Sequence, residues 1–162
     1  MSFFRCLLHW YQFNMNYPLY WRLRIKVSNL RGGVKRCVIM LYLRRLESKR
    51  NSTTGIGPLG DCCIIKSPLI MPHGMIGVVF GRNTVIGNNV VVNQHVTVAE
   101  GNKKKKTIIE DDVMLGAGCI ILNNAHIGKG AKIGANSVVL TDVPDYATAV
   151  GNPARIIRKN IL

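Results

Sequence analysis

From Phe80 to Val139 an apolar residue returns at every sixth position, through Phe80, Ile86, Val92 and Val98, then Ile109, Leu115, Ile121, Ile127, Ile133 and Val139. Two residues before each stands a small or β-branched side chain: Val78, Thr84, Val90, Val96, Thr107, Val113, Cys119, Ala125, Ala131 and Ser137. Glycine often follows, as at Gly81, Gly87, Gly116, Gly128 and Gly134. A period of six is neither the 3.6 of a helix nor the simple alternation of a long strand, so it marks a repeat architecture. Each hexapeptide then supplies one short strand and one turn, and three of them close a triangular coil of about eighteen residues. Coils stack at roughly the 4.8 Å spacing of paired strands. The apolar series lines the inside of the prism, while Gly and Asn relax the turns. The predicted fold is mainly β, a parallel β-helix.

The register fails in two places. Between Val98 and Ile109 the step is eleven positions instead of six, and the excess lies in Ala99 to Lys106. The pattern also breaks around Met71-Pro72-His73-Gly74. Breaks in a regular scaffold are where function is to be sought.

The flanks divide the chain into a basic, aromatic-rich segment 1–54, repeats over 55–148 with an extruded loop 99–106, and a basic tail 149–162. Val34 to Arg50 reads as a helix by length and residue type, Asn51 to Gly55 as a linker, and Ile56 to Met71 as an irregular first coil. Asn152-Pro153-Ala154 suits the start of a short terminal helix, with Pro at the first helical position. The apolar runs after Arg5 and around Cys37 to Leu43 are too short to span a bilayer. Aromatics interleaved with arginines near the N-terminus suit a helix on a membrane interface or one packed against the coils.

Charge adds to this picture. The net charge is +14. Residues 1–54 hold 11 Lys and Arg against the single acid Glu47, whereas the remaining 11 are set against 7 acids. Such a segment meets an anionic lipid surface or simply solvates; no nucleic-acid motif accompanies it. Five cysteines with no CxxC suit reduced thiols and a cytoplasmic protein, with peripheral contact at the inner face of the membrane through the basic segment.

His73-Gly-Met-Ile-Gly-Val-Val-Phe-Gly, then Gln94-His95-Val96-Thr97-Val98 before the extruded loop, the repeats, and Gly151-Asn-Pro-Ala-Arg155 together resemble the left-handed β-helix (hexapeptide-repeat) acyltransferases. The likeness covers about residues 55 to 159 and is strongest to the serine acetyltransferase-like branch, many of whose shorter members are sugar or polysaccharide O-acetyltransferases. It implies the left hand of the coil, a homotrimer whose adjacent subunits build each site, and direct transfer from acetyl-CoA as co-substrate with no metal.

Counting along the period places a site. One corner of the prism carries His73, then Gln94 or His95, then Ala117-Gly118, then Ala135-Asn136, two imidazoles above a column of small residues. An imidazole with a pKa near 6.5 can take the proton of a hydroxyl as it attacks a thioester carbonyl, which makes His73 the expected base. His95 orients substrate, shares a proton network with His73 or decorates the corner. Amides at Gly116 or Gly118 are candidates for stabilising the oxyanion. The resemblance also puts acetyl-CoA along the late coils, at Gly116, Ala117, Lys132, Ala135, Arg155 and Arg158. In the serine enzymes an upstream acid orients the base; this chain has Pro58 there, and Asp61 is the nearest substitute. Pro72 stands where those enzymes have an Asp immediately before the base.

The loop, Glu100-Gly101-Asn102 followed by Lys103 to Lys106, lacks the His and Arg that the serine enzymes carry there. That favours a hydroxyl on a sugar or surface-polysaccharide precursor, with free serine as the alternative acceptor. Two other classes compete. A zinc lyase of similar coil needs three converging imidazoles, yet His126 falls on another face; a non-catalytic assembly subunit needs none.

Overall fold

A computed structural model describes residues 17–30, 33–55, 63–99, 105–122 and 124–159. Two helices lead in, α1 (Tyr17–Asn29) and α2 (Val34–Ser48), followed by short strands. These are β1 (Ile64–Ile65), β2 (Val79–Phe80), β3 (Thr84–Ile86), β4 (Val91–Val92), β5 (Thr97–Val98), β6 (Thr107–Ile109), β7 (Met114–Leu115), β8 (Ile120–Ile121), β9 (His126–Ile127), β10 (Lys132–Ile133) and β11 (Val138–Val139), closed by β12 (Ala147–Gly151) and β13 (Ala154–Lys159).

Among β1 to β12 consecutive strands do not pair; each joins a strand one coil away. One sheet orders β1-β3-β6-β9, a second β13-β12-β10-β7-β4, a third β11-β8-β5-β2. All pairings among β1 to β12 are parallel. This is the triangular prism that the six-residue period predicts. The whole apolar series from Phe80 to Val139 is at most 2% exposed, and so is the small-residue series from Val78 to Ser137. Each buried aliphatic contributes about 1.5–3 kcal/mol through loss of apolar surface from water. The stack therefore gains stability coil by coil, with no single dominant residue.

The ladder reaches back into the stretch read as a linker. Thr53 pairs in parallel with Val79, its amide donating to the Val78 carbonyl at 2.8 Å. At the other end the expected terminal helix is absent. Ala154–Lys159 runs antiparallel to β12 after a tight turn through the cis Asn152–Pro153 peptide, with Gly151 at φ 101°. The exposed edge of β12 offers unpaired backbone groups, and a returning strand satisfies them where a helix would not.

The two helices pack on the first coil through a buried polar cluster. Tyr20 donates its hydroxyl to Glu47 Oε1 at 2.7 Å, and the Thr54 hydroxyl donates to the same oxygen at 2.5 Å. Arg24 Nε donates to Thr54 Oγ1 at 2.9 Å, while Arg24 Nη2 donates to the carbonyls of Thr54 and Cys63 at 2.7 and 2.8 Å. Tyr20, Arg24, Glu47 and Thr54 are all at most 3% exposed. Burial, then the neighbouring Glu47 carboxylate, raises the Tyr20 pKa and keeps the phenol protonated as a donor. Arg36, also buried, donates to the Val27 and Leu30 carbonyls and so closes the C-terminal end of α1. Among the described residues no helix is long and apolar enough to cross a membrane.

Carboxylates latch successive coils at their turns. Asp111 Oδ1 accepts from the Asn88 amide at 2.7 Å, Asp142 Oδ1 from His126 at 2.7 Å and Asp145 Oδ1 from Lys129 at 3.0 Å. The Asn88 bond holds the Asp111 carboxyl below its ordinary 3.8.

Two outcomes follow from these contacts. Glu47→Ala removes the acceptor of the Tyr20 and Thr54 hydroxyls and the carboxylate of the cluster that also holds the buried Arg24 cation, and should lower unfolding free energy by about 3 kcal/mol in a denaturant titration. Because the Asp111 pKa is depressed in the folded state, its contribution is present above the ordinary value and is lost as pH falls through the lowered one. Thermal melts of Asp111→Asn should therefore lie below those of the parent protein near neutral pH and converge with them in acid.

Candidate active site

At the corner that follows the sheet of β4, β7 and β10, each coil must turn sharply towards the sheet of β5, β8 and β11. The residue that makes the turn has a left-handed backbone: Gly77 (φ 63°), His95 (φ 59°), Gly118 (φ 68°) and Asn136 (φ 53°). Their amides donate in sequence to the carbonyls of Arg50, Ile76, Gln94 and Ala117, at 2.8 to 2.9 Å. The side chains alternate with glycine for a steric reason. A Cβ at Gly77 would lie 2.3 Å from His95 Nδ1, and a Cβ at Gly118 would lie 2.3 Å from Asn136 Oδ1. The His95 ring thus rests on Gly77. Nothing in the six-residue count singles out Gly77; only the neighbouring coil gives it a role.

His73 sits in the enlarged turn at the head of this column. Ile70 still pairs with Val91, so Met71 matches Val92, but Met71 to Phe80 takes nine positions where Val92 to Val98 takes six. The three extra residues make a tight turn closed by the Gly74 amide donating to Met71 O at 3.0 Å. Met75 and Val78, both fully buried, anchor the returning chain, and His73 is left exposed. His73 and His95 therefore share one corner in adjacent coils, each without a hydrogen bond from its ring among the described residues. Gln94 Oε1, beside His95, is buried and likewise lacks a partner.

The small column lies where counting put it, but its amides correct one expectation. Gly116 N donates to Ile133 O and Gly118 N to Gln94 O, both at 2.9 Å, so neither is available to an oxyanion. Gly116 is required for close approach of coils, since a Cβ there would lie 2.6 Å from Ala135 N. The amides of Ala117 and Ala135 make no bond among the described residues, and both residues reach the surface. Lys132 projects from the adjoining sheet between Met114 and Thr148. Arg155 is exposed on β13, donating to Ala154 O at 3.1 Å. The backbone of Arg158 pairs with Thr148. Asp61 and Glu100 to Lys104 lie outside the described residues. Where the described chain resumes after the insertion, Asn124 Nδ2 donates to Lys105 O, and Lys105 Nζ lies 3.8 Å from Asp142.

His126 is on a different sheet, in β9, with its Nε2 2.7 Å from Glu110 Oε1. The imidazoles of His73, His95 and His126 do not converge. Among the described residues no group of three or more His, Cys, Asp or Glu can hold a metal ion.

Comparison with known proteins agrees with this architecture. Residues 106–141 match the family model described as bacterial transferase hexapeptide (six repeats), and residues 74–94 match the hexapeptide repeat of succinyl-transferase. The chain is thus a hexapeptide-repeat protein with the left-handed parallel β-helix fold. The particular proteins it is similar to are serine acetyltransferases. That of Bacillus subtilis is 47% identical over 91 residues, which is 54% of this chain and 42% of the relative. A soybean serine acetyltransferase solved with serine superposes with TM-score 0.69 at 34% identity, over 86% of this chain and 56% of that one. A serine acetyltransferase solved with CoA gives TM-score 0.62 at 35% identity, over 87% and 54%. The chain spans about half the length of these proteins.

Gly77→Ala tests the geometry of the corner. The methyl group both forces a non-glycine residue into left-handed backbone and collides with the His95 ring, so a loss of roughly 1–2 kcal/mol is expected. The His95 imidazole resonances should move in the same variant while those of His126 stay in place.

Proposed function

We propose that this chain is an acetyl-CoA-dependent O-acetyltransferase acting on the hydroxyl of serine or a serine-like small molecule. The observation that carries the reading is His73, exposed in the out-of-register turn at the head of a corner with small residues and undonated amides below it. Similarity to proteins solved with serine and with CoA supports both substrates.

In this reading His73 accepts the acceptor's hydroxyl proton as the oxygen attacks the acetyl carbonyl carbon of the thioester. The tetrahedral adduct collapses, the C–S bond breaks, and the imidazolium returns the proton to the departing sulfur, giving O-acetyl product and free CoA thiol. No acyl-enzyme is needed. Cys119 supplies no nucleophile, because burial pushes its thiol up to about 12. The amides of Ala117 and Ala135 face the extended arm of CoA, with Gly116 as wall. Lys132, Arg155 and Arg158 are the cations for its phosphates. His95 orients the acceptor, and Asp61 is the carboxylate proposed to orient His73. A homotrimer supplies the second wall of each site, and light scattering should give three times the chain mass.

A second reading rests on a specific observation. The extruded loop reads Glu-Gly-Asn and four lysines, without the His and Arg expected for an amino-acid acceptor. A sugar hydroxyl on a surface-polysaccharide precursor is the acceptor this composition suits.

Thiol release from acetyl-CoA, measured with serine, nucleotide-sugars and lipid-linked sugars, separates the two. Serine should give the fastest turnover; a sugar exceeding it would transfer the reading to the glycan acceptor, and no turnover with any acceptor would end both. His73→Ala should lower kcat by about 10²- to 10⁴-fold with CoA affinity retained. Unchanged turnover would remove His73 from the role of base.

A further inference from the structure

Helix α2 has two faces that differ sharply. Arg36, Met40, Leu43 and Glu47 point inward and are buried. On the opposite side Val34, Val38, Leu41 and Tyr42 form a strip that is 80, 60, 67 and 45% exposed. Helical geometry puts these four within one outward arc, with Lys35 on its flank and Arg45 and Lys49 prolonging it beyond Tyr42. Helix α1 adds exposed Arg22 and Lys26, one turn apart. The only acid in residues 1–54 is Glu47, which is 3% exposed and accepts hydrogen bonds from Tyr20 and Thr54. The outer surface of the helical pair thus combines an apolar strip with cations and no carboxylate.

That combination selects among occupants. A second copy seated on the strip would bring Lys35, Arg45 and Lys49 against their own duplicates with no acid to pair them. Nucleic acid would satisfy the cations but leave Val34, Val38 and Leu41 against phosphate and water. An anionic bilayer satisfies both: apolar side chains enter the acyl boundary while Lys and Arg stems extend to the headgroups. The helix is too short to span, so it lies in the plane of the surface.

We propose that α2 docks this chain on an anionic lipid surface, with Val34, Val38, Leu41 and Tyr42 in the acyl boundary and Lys35, Arg45 and Lys49 against lipid headgroups. The docking stands independently of the acetyl-transfer reading.

Sedimentation of the full chain with vesicles tests it. Vesicles of phosphatidylcholine with about a third phosphatidylglycerol should bind the protein at least about tenfold more tightly than phosphatidylcholine alone, and about 0.5 M salt should weaken that binding. V38D/L41D should lose about tenfold or more in affinity for the mixed vesicles, with circular dichroism and melting unchanged because both positions face outward. Val34→Asp, at the first helical residue where an acid favours the helix dipole, gives the same readout without risk to folding. Equal binding to neutral vesicles, or unaltered binding of both variants, overturns the proposal. So does a vesicle-free drop in molar mass in V38D/L41D, which assigns the strip to a second copy, or displacement from vesicles by duplex DNA at low concentration.

Discussion

Every coil is tied to the one before it by backbone hydrogen bonds, in the strands and again at the turns. The Gly118 amide meets Gln94 O and the Asn136 amide meets Ala117 O, so even the corner residues are in register. Position in space is therefore set by count: a residue added inside one coil would shift every later side chain off its column. Extra chain is accommodated only where it can bulge outward and rejoin in phase. The turn at His73 is such a place, and the sequence also inserts five residues between Val98 and Ile109. The proposed base is thus held by a rigid frame on both sides while its own turn is free of the ladder.

A stack of this kind leaves polar edges at both ends, and the chain closes each differently. At the end nearest α1 and α2, Thr54 accepts from Arg24 and donates to Glu47, so the first coil is completed by side chains from the helices. At the other, β13 folds back along β12. Terminal units of repeat proteins are atypical because their outer face has no further repeat to cover it. The segment that contains the helical cap, residues 1–54, also holds 11 of the 22 Lys and Arg against a single acid.

The interior was legible in the sequence because one rule generates it. Each sixth residue faces inward, and Phe80 through Val139 did so without exception. His73 was legible for the opposite reason, as a departure from that rule. The sequence is silent on relations between coils. Gly77 reads as one more turn glycine until His95 is seen resting on it, and Gly116 and Gly118 read as free amides until their partners Ile133 and Gln94 are known. The terminal hairpin was missed because Pro153 suits a helix start locally, whereas the open edge of β12 decides the outcome.

The alternation at the corner has a consequence for how such proteins diversify. Gly77 lies beneath His95 and Gly118 beneath Asn136, so a side chain on one coil is possible only where its neighbour has none. The column works as a set of mutually exclusive slots. A functional group can migrate to the next coil only if a glycine moves in the other direction, so residues 77 and 95 form one heritable unit. New chemistry along this edge has to arise through paired replacements, a narrower evolutionary route than the uniform repeat suggests.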